Sequence, residues 1–251
     1  MGLFRGLKNS IGFLTIFPVG TDSDGLAQAA SYMPVFPLIG AVIGLIVGLC
    51  VWLLELILPQ EVSSVIGVGL LLLINGVQHL DGLLDFGDGL MFHGSRSGKL
   101  KVMRDPTTGA GGIALGLVVL LATVFSIASI PSTMIVSSLV VSEASAVFAM
   151  VFATGAGSSA HKGMNSVFVE AMHHQRGLRL AFSCLLILVV SFLTLRSVGL
   201  LVVVGATLTA SMMVIISKRS FGGLTGDVLG ATNEIARVVS LLLVLVFLKW
   251  V

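Results

Sequence analysis

Two short stretches hold most of the side chains able to do chemistry in this chain of 251 residues. The first runs His79-Leu-Asp-Gly-Leu-Leu-Asp-Phe-Gly-Asp-Gly89, with Asp81, Asp85 and Asp88 at i, i+4 and i+7. On a helix of 3.6 residues per turn that spacing puts all three carboxylates on one face. They repel one another unless a cation lies among them, and partial desolvation at the end of an apolar helix raises the cost. A hard divalent cation answers both problems. Mg2+ takes carboxylate oxygens and keeps positions open for phosphate oxygens, so Asp81, Asp85 and Asp88 read as metal ligands. Gly82, Gly87 and Gly89 leave room for a bulky phosphate or a close helix. The plainer alternative is a solvated acidic helix end. Arg96, Lys99, Lys101 and Arg104 follow, suited to phosphate oxygens that the metal does not neutralise. Thr107 or Thr108 suits the cap of a helix beginning near Gly109, and Asp105 is either a further ligand or a loop acid.

The second stretch is Phe221-Gly-Gly-Leu-Thr-Gly-Asp-Val-Leu-Gly-Ala231, preceded by Lys218 and Arg219. Asp227 and Glu234 are seven apart, again on one helical face, and Asn233 flanks them. Four glycines in nine residues permit close backbone approach or a broken helix, tolerated at membrane depth only against protein or a polar cavity. A glycine-mediated helix contact is the plainer reading. The segment Gly155–Gly177 holds His161, Lys162, His173 and His174, and its histidines lack the i,i+4 spacing of a helical zinc pair. It reads as a solvated loop in which Lys162 is the residue suited to an anionic substrate. Glu143 is the one acid deep in an apolar run, with no cation near it in sequence. Cys50 and Cys184 also lie in apolar runs and read as small buried hydrophobes.

Positioning these groups falls to elements of an unusual composition. The chain is 56% hydrophobic and only 10% charged, with a mean hydropathy of +1.08. Ordinary soluble domains carry roughly 25% charged residues. Such a chain cannot coat a globular surface with charge, which excludes a soluble enzyme, a disordered tail and a disulfide scaffold. A net charge of +2 argues against nucleic acid as a partner. A spanning helix needs roughly 20 apolar residues. Seven runs qualify: Val35–Leu58, Val62–Leu80, Gly109–Ile130, Pro131–Ala153, Leu178–Leu195, Val198–Ser217 and Ile235–Val251. The expected fold is an all-α, polytopic membrane bundle of about seven helices. Leu3–Val19, with Arg5 and Lys8 before its apolar residues and Pro18 at its end, reads as an interfacial helix. No small-residue cleavage site follows it, so it is expected to be retained.

Twelve of the fourteen Lys and Arg residues fall in the N-terminal segment and in residues 81–108, 154–179 and 217–237. A seven-helix arrangement puts all four segments on one side, leaving only Arg196 and Lys249 opposite. The positive-inside rule then places the N-terminus and the long loops in the cytoplasm. The three outer connections are minimal, which argues for a site open to the cytoplasm rather than a path through the bilayer. A transporter would also show related halves, which are absent here. A membrane prenyltransferase also binds Mg2+-diphosphate through Asp-rich motifs, but it would need a second Asp-x-x-x-Asp motif.

Together these motifs resemble the cobalamin synthase family, the adenosylcobinamide-GDP ribazoletransferases. The matching residues are Phe36-Pro-Leu-Ile-Gly40, His79 to Gly89, Met103-Arg-Asp105 with Gly109-Ala110, and Gly222 to Ala231. Their order and spacing fit from about residue 8 onward. Departures fall at Thr15-Ile16, at Asp105-Pro-Thr and at Arg237. The resemblance implies one membrane-embedded ribazoletransferase domain over residues 1–251. It would act in the last steps of cobalamin biosynthesis, joining adenosylcobinamide-GDP to α-ribazole or its 5′-phosphate with release of GMP, dependent on Mg2+. On that basis Asp81, Asp85 and Asp88 are expected to hold the metal, and Asp227, Lys99 and Arg104 to be catalytic. Lys218, Arg96, Gly222, Gly223, Thr225 and Lys162 are expected to bind substrate. Expected partners are the two substrates and the lipid bilayer of the cytoplasmic membrane, with homo-oligomers or other cobalamin-assembly enzymes left open.

Overall fold

The computed structural model describes residues 3–19 and 24–248, and every regular element among them is a helix. In chain order these are α1 (Leu3–Leu14), α2 (Gly25–Ser31), a 3-10 turn (Met33–Val35), α3 (Phe36–Leu54), α4 (Gln60–Ile74) and α5 (Gln78–Met91). There follow α6 (Arg96–Val102), α7 (Ala110–Ala128), α8 (Ile135–Ala156), α9 (Met164–His173), α10 (Arg176–Ser220) and α11 (Gly226–Leu248). Five of them, counting the turn at Met33 with α3, are long and apolar enough to cross a bilayer: α3, α7, α8, α10 and α11.

The remaining apolar runs appear as broken helices. α10 is a single 45-residue element only nominally, because Arg196 adopts φ 50° and ψ −127°. Ile187 before the break and Val203 after it both pack with Phe148 of α8, so the chain doubles back there. The run expected over Val62–Leu80 is two helices bent by 93°. Gly76 and Val77 both take positive φ, near +64° and +62°. A β-branched residue in that region is strained, so packing on either side must hold the bend. One restraint is visible: the Ile16 backbone N–H donates to the Ile74 carbonyl at 2.8 Å, tying the end of α4 to the residues that follow α1. The aspartates therefore stand on a helix of their own, not on the tip of a spanning one. With α10 counted as two passes and α4–α5 as one, seven apolar segments result.

α8 is the central element. Nearly all its residues from Ser138 to Gly155 are buried, and α3, α10 and α11 pack around it. Ser142, Ala144, Ser145, Ala146, Ala149 and Ala153 on this helix let neighbouring backbones come close, the usual basis of helix packing where lipid supplies no hydrophobic drive. Leu49, Leu53, Val118, Phe125, Leu193 and Leu208 face outward, as a lipid-facing surface requires.

The loops collect at one end of the bundle. Phe13 of α1 stacks on Phe168 of α9 with ring centroids 4.6 Å apart. The Arg96 side chain donates to the Arg219 carbonyl at 3.1 Å. Residues 158–160 pair with Leu224 through Leu224 N–H to Ser158 O, 2.7 Å, and Ala160 N–H to Leu224 O, 2.9 Å. At the opposite end Gln60 donates to Ser132 at 3.2 Å, joining two of the short connections.

Candidate active site

α5 and α11 cross at the loop-bearing end, and their contact assembles the acidic groups. A β-carbon on Gly82 would lie 2.9 Å from the Asp227 Cα, so only glycine lets the two backbones approach this closely. The approach brings Asp227 within electrostatic reach of Asp81 and Asp85. Asp81 is exposed, while Asp85, Asp88 and Asp227 are half-buried. The only ion pairs formed among the described residues are those of Arg237 with Glu143 and Glu234, so none of the four aspartates is ion-paired, though Arg104 and His161 act on Asp227 from a distance.

Asp88 has a second task. Its Oδ2 accepts from the Gly109 N–H at 2.6 Å and its Oδ1 from the Gly112 N–H at 2.8 Å. These are orphan donors at the start of α7, so Asp88 caps that helix from another helix. The cap expected from Thr107 or Thr108 is not formed, and Thr107 instead donates to Asp105, through its hydroxyl and its backbone N–H. Those two hydrogen bonds hold the Asp105 carboxyl below the usual range.

Thr225 caps α11: its hydroxyl oxygen accepts from the Val228 N–H at 3.2 Å and its hydroxyl donates to Asp227 Oδ2 at 3.2 Å. The cap starts the helix at Gly226, before the Ile235 expected from the apolar run, and orients the Asp227 carboxylate. Gly223 serves the loop, since a β-carbon there would lie 2.6 Å from the Ser158 carbonyl oxygen. Gly222 is exposed with φ +86°, and a β-carbon there would lie 4.0 Å from the Arg96 side chain.

The basic residues divide. Arg104 lines a cavity of about 320 Å3 together with Asp227, Thr225, His79, His161 and Asn165. The Lys99 ammonium donates to the Gly89 and Leu90 carbonyls at 3.1 and 2.8 Å, which caps the end of α5. Arg96 is bound to the end of α10. Lys218 borders a separate pocket with His173 and Gly223, and Lys162 is exposed beside the cavity residue His161.

Glu234 does not join Asp227, as their shared helical face suggested. It turns into the bundle, where Arg237 binds Glu234, Glu143 of α8 and Asn233 together, with the Asn233 bond at 2.9 Å. Glu143 therefore has its cation, 94 residues away in sequence. Nothing local in the sequence marks that pairing. Nor does it mark His79 and Asn165 as walls of the cavity, although His79 opens the aspartate motif.

A polytopic helical bundle with an unpaired carboxylate group beside a cavity and cationic side chains has the makings of a membrane enzyme that handles phosphate esters. The model of the cobalamin-5-phosphate synthase family matches residues 6–245, and the chain belongs to that family. It is 33% identical to the adenosylcobinamide-GDP ribazoletransferase of Methanococcoides burtonii, over 98% of this chain and 93% of the relative. Identity is 34% to the protein of the same name from Methanocella arvoryzae, over 95% and 94%. It is 33% to that from Thermococcus kodakarensis, over 97% and 99%. No solved structure matches the chain. The chain is accordingly an enzyme, a transferase.

Proposed function

We propose that this enzyme joins adenosylcobinamide-GDP to α-ribazole or its 5′-phosphate with release of GMP, in the cytoplasmic membrane and with Mg2+ as cofactor. The supporting observation is the carboxylate group at the crossing of α5 and α11, which forms no ion pair of its own among the described residues. Its donor set suits a hard cation. No three acidic, histidine or cysteine side chains among the described residues converge tightly enough to enclose an ion by themselves. That fits Mg2+, which is commonly held by one or two carboxylates with substrate phosphates completing its shell. Asp81 and Asp85 would hold it with Asp227 beside them as the base, while Asp88 keeps α7 in place against them. When bound, the ion supplies neutralising charge to a diphosphate and polarises its phosphorus–oxygen bonds.

The chain's own groups do the rest. Arg104, at the cavity, meets phosphate oxygens and stabilises charge as the phosphorus–oxygen bond to GMP breaks. The acceptor hydroxyl forms the new bond to the phosphorus next to the cobinamide arm. Asp227, oriented by Thr225, takes that hydroxyl's proton and releases it to solvent. Lys99 fixes the end of α5 and with it the aspartate face. The bundle thus works by positioning and charge.

The test is the purified protein in detergent, given adenosylcobinamide-GDP and α-ribazole phosphate, with GMP release followed with Mg2+ and after chelation. GMP should appear only with both substrates and the metal. Release without acceptor would make the enzyme a hydrolase, and metal-independent release would remove the role assigned to the aspartates.

A further inference from the structure

The cavity beside Asp227 contains more than the reaction centre needs. Apolar side chains form much of its wall: Phe13, Met33, Met150, Phe168 and Leu229. Among the polar residues of the wall, His79 and Asn165 are 6% and 7% exposed. The Asn165 amide nitrogen donates to the Leu224 carbonyl at 2.9 Å, which fixes the side chain's orientation. Its Oδ1 is buried without a partner among the described residues, and so is Nδ1 of His79. A buried polar atom without a hydrogen bond is destabilising. Both atoms belong to residues of the cavity wall, within reach of a ligand that could supply the missing bonds.

We infer that this cavity is the acceptor subsite, holding the nucleoside α-ribazole with its bicyclic base among the phenyl and thioether groups and its hydroxyls on Asn165 and His79. The inference rests on the proposed reaction and adds the place and recognition of one substrate. At about 320 Å3 the cavity is at the small end of ligand sites, which run from roughly 300 to 1,000 Å3. That is far too small for a corrin ring. A benzimidazole presents an apolar rim and a single ring nitrogen. Methionine adapts to such a ring and makes favourable sulfur–aromatic contacts. Asn165 Oδ1 can only accept, and the sugar hydroxyls supply its donor. Asp227 belongs both to this wall and to the carboxylate group, so a nucleoside bound here shares a boundary with the reacting phosphate.

The experiment uses the full chain in lipid nanodiscs. α-Ribazole binding is measured by titration calorimetry without corrinoid, and steady-state constants are measured with both substrates. Asn165→Leu and His79→Phe should each weaken α-ribazole binding on the order of tenfold and raise its KM alike. The KM for adenosylcobinamide-GDP should stay unchanged. His79→Asn, which returns an amide near the position of Nδ1, should recover most of the loss. A readout that leaves Asn165 and His79 in place is a cysteine at Met164 on the exposed rim, with Cys50 and Cys184 replaced by Ala. α-Ribazole should slow its alkylation and guanosine should not. Unchanged α-ribazole affinity in both variants, absence of that protection, or a rise confined to the KM for adenosylcobinamide-GDP overturns the inference. Failure of the reaction itself reads differently: no GMP would form, while binding would still depend on Asn165 and His79.

Discussion

At the level of single residues, the four aspartates separate by what their oxygens already do. Asp81, Asp85 and Asp227 form no ion pair among the described residues, whereas Asp88 gives one oxygen to each of two N–H groups at the start of α7. Asn at Asp81 or Asp85 keeps shape and removes charge from the proposed metal shell, and Asn at Asp227 removes the base. Metal stabilisation of transferring charge is worth several kcal/mol, and each 1.4 kcal/mol is tenfold in rate. GMP release should fall on the order of a hundredfold or more in each variant, with normal protein level and, at Asp81 and Asp85, a higher Mg2+ requirement. Three variants with near-normal turnover would reduce the carboxylates to a solvated helix end. The triplet at Asp81, Asp85 and Asp88 was readable because i, i+4, i+7 is a local period. The capping role of Asp88 was not, since its partners lie 21 and 24 residues on and are backbone groups, which leave no mark in side-chain pattern.

Between elements, two polar devices fix which helices meet. The first is the Asp88 cap, the only side-chain hydrogen bonding at the start of α7 among the described residues. Asp88→Ala should lower stability by roughly 0.5–2 kcal/mol, as lost caps do. Asp88→Asn, which keeps an acceptor, should lose less, and thermal melts in detergent separate the two. The second is the buried Glu143–Arg237–Glu234 group joining α8 to α11. Arg237→Leu leaves two buried carboxylates without their cation, a loss of about 3–5 kcal/mol for a broken buried pair. It should abolish accumulation of folded protein. Adding Glu143→Gln and Glu234→Gln should restore much of it, measured as monodisperse protein on size exclusion. If the triple variant behaved no better than Arg237→Leu, the arginine would matter for its packing and not its charge. Glu143 looked unpartnered in sequence because contacts between distant helices have no sequence period. The bend at residues 75–77 was hidden for a related reason. Apolar character continues across it, so hydropathy alone reads one span where the backbone makes two helices.

Over the whole molecule, the end-to-end asymmetry of charge becomes a spatial fact. The segments holding twelve of the fourteen basic residues include α1, residues 81–108, 154–179 and 217–237. The contacts of Phe13 with Phe168, Arg96 with Arg219 and Ser158 with Leu224 gather them at one end of the bundle. Arg196 marks the opposite end, at the turn of α10, and Lys249 lies outside the described residues. Apolar run lengths made the passes readable because roughly 30 Å of hydrocarbon leaves little choice of length. Loop charge made their order readable because positive loops stay inside. Both substrates proposed here are anionic or strongly polar, and the cavity, the aspartates and Arg104 share the basic end. That end should therefore face the cytoplasm. Cysteines placed at Ser95, in the connection before α6, and at Ser197, just past the α10 break, should label from opposite faces of oriented membrane vesicles. A membrane-impermeant maleimide should reach Ser95→Cys in inside-out vesicles and Ser197→Cys in intact cells, in a background lacking Cys50 and Cys184. Labelling of both from one face would overturn the seven-pass reading. Labelling of each from the face opposite to that expected would keep the seven passes and move the catalytic end outside. The substrates would then have to be delivered from the far side of the bilayer.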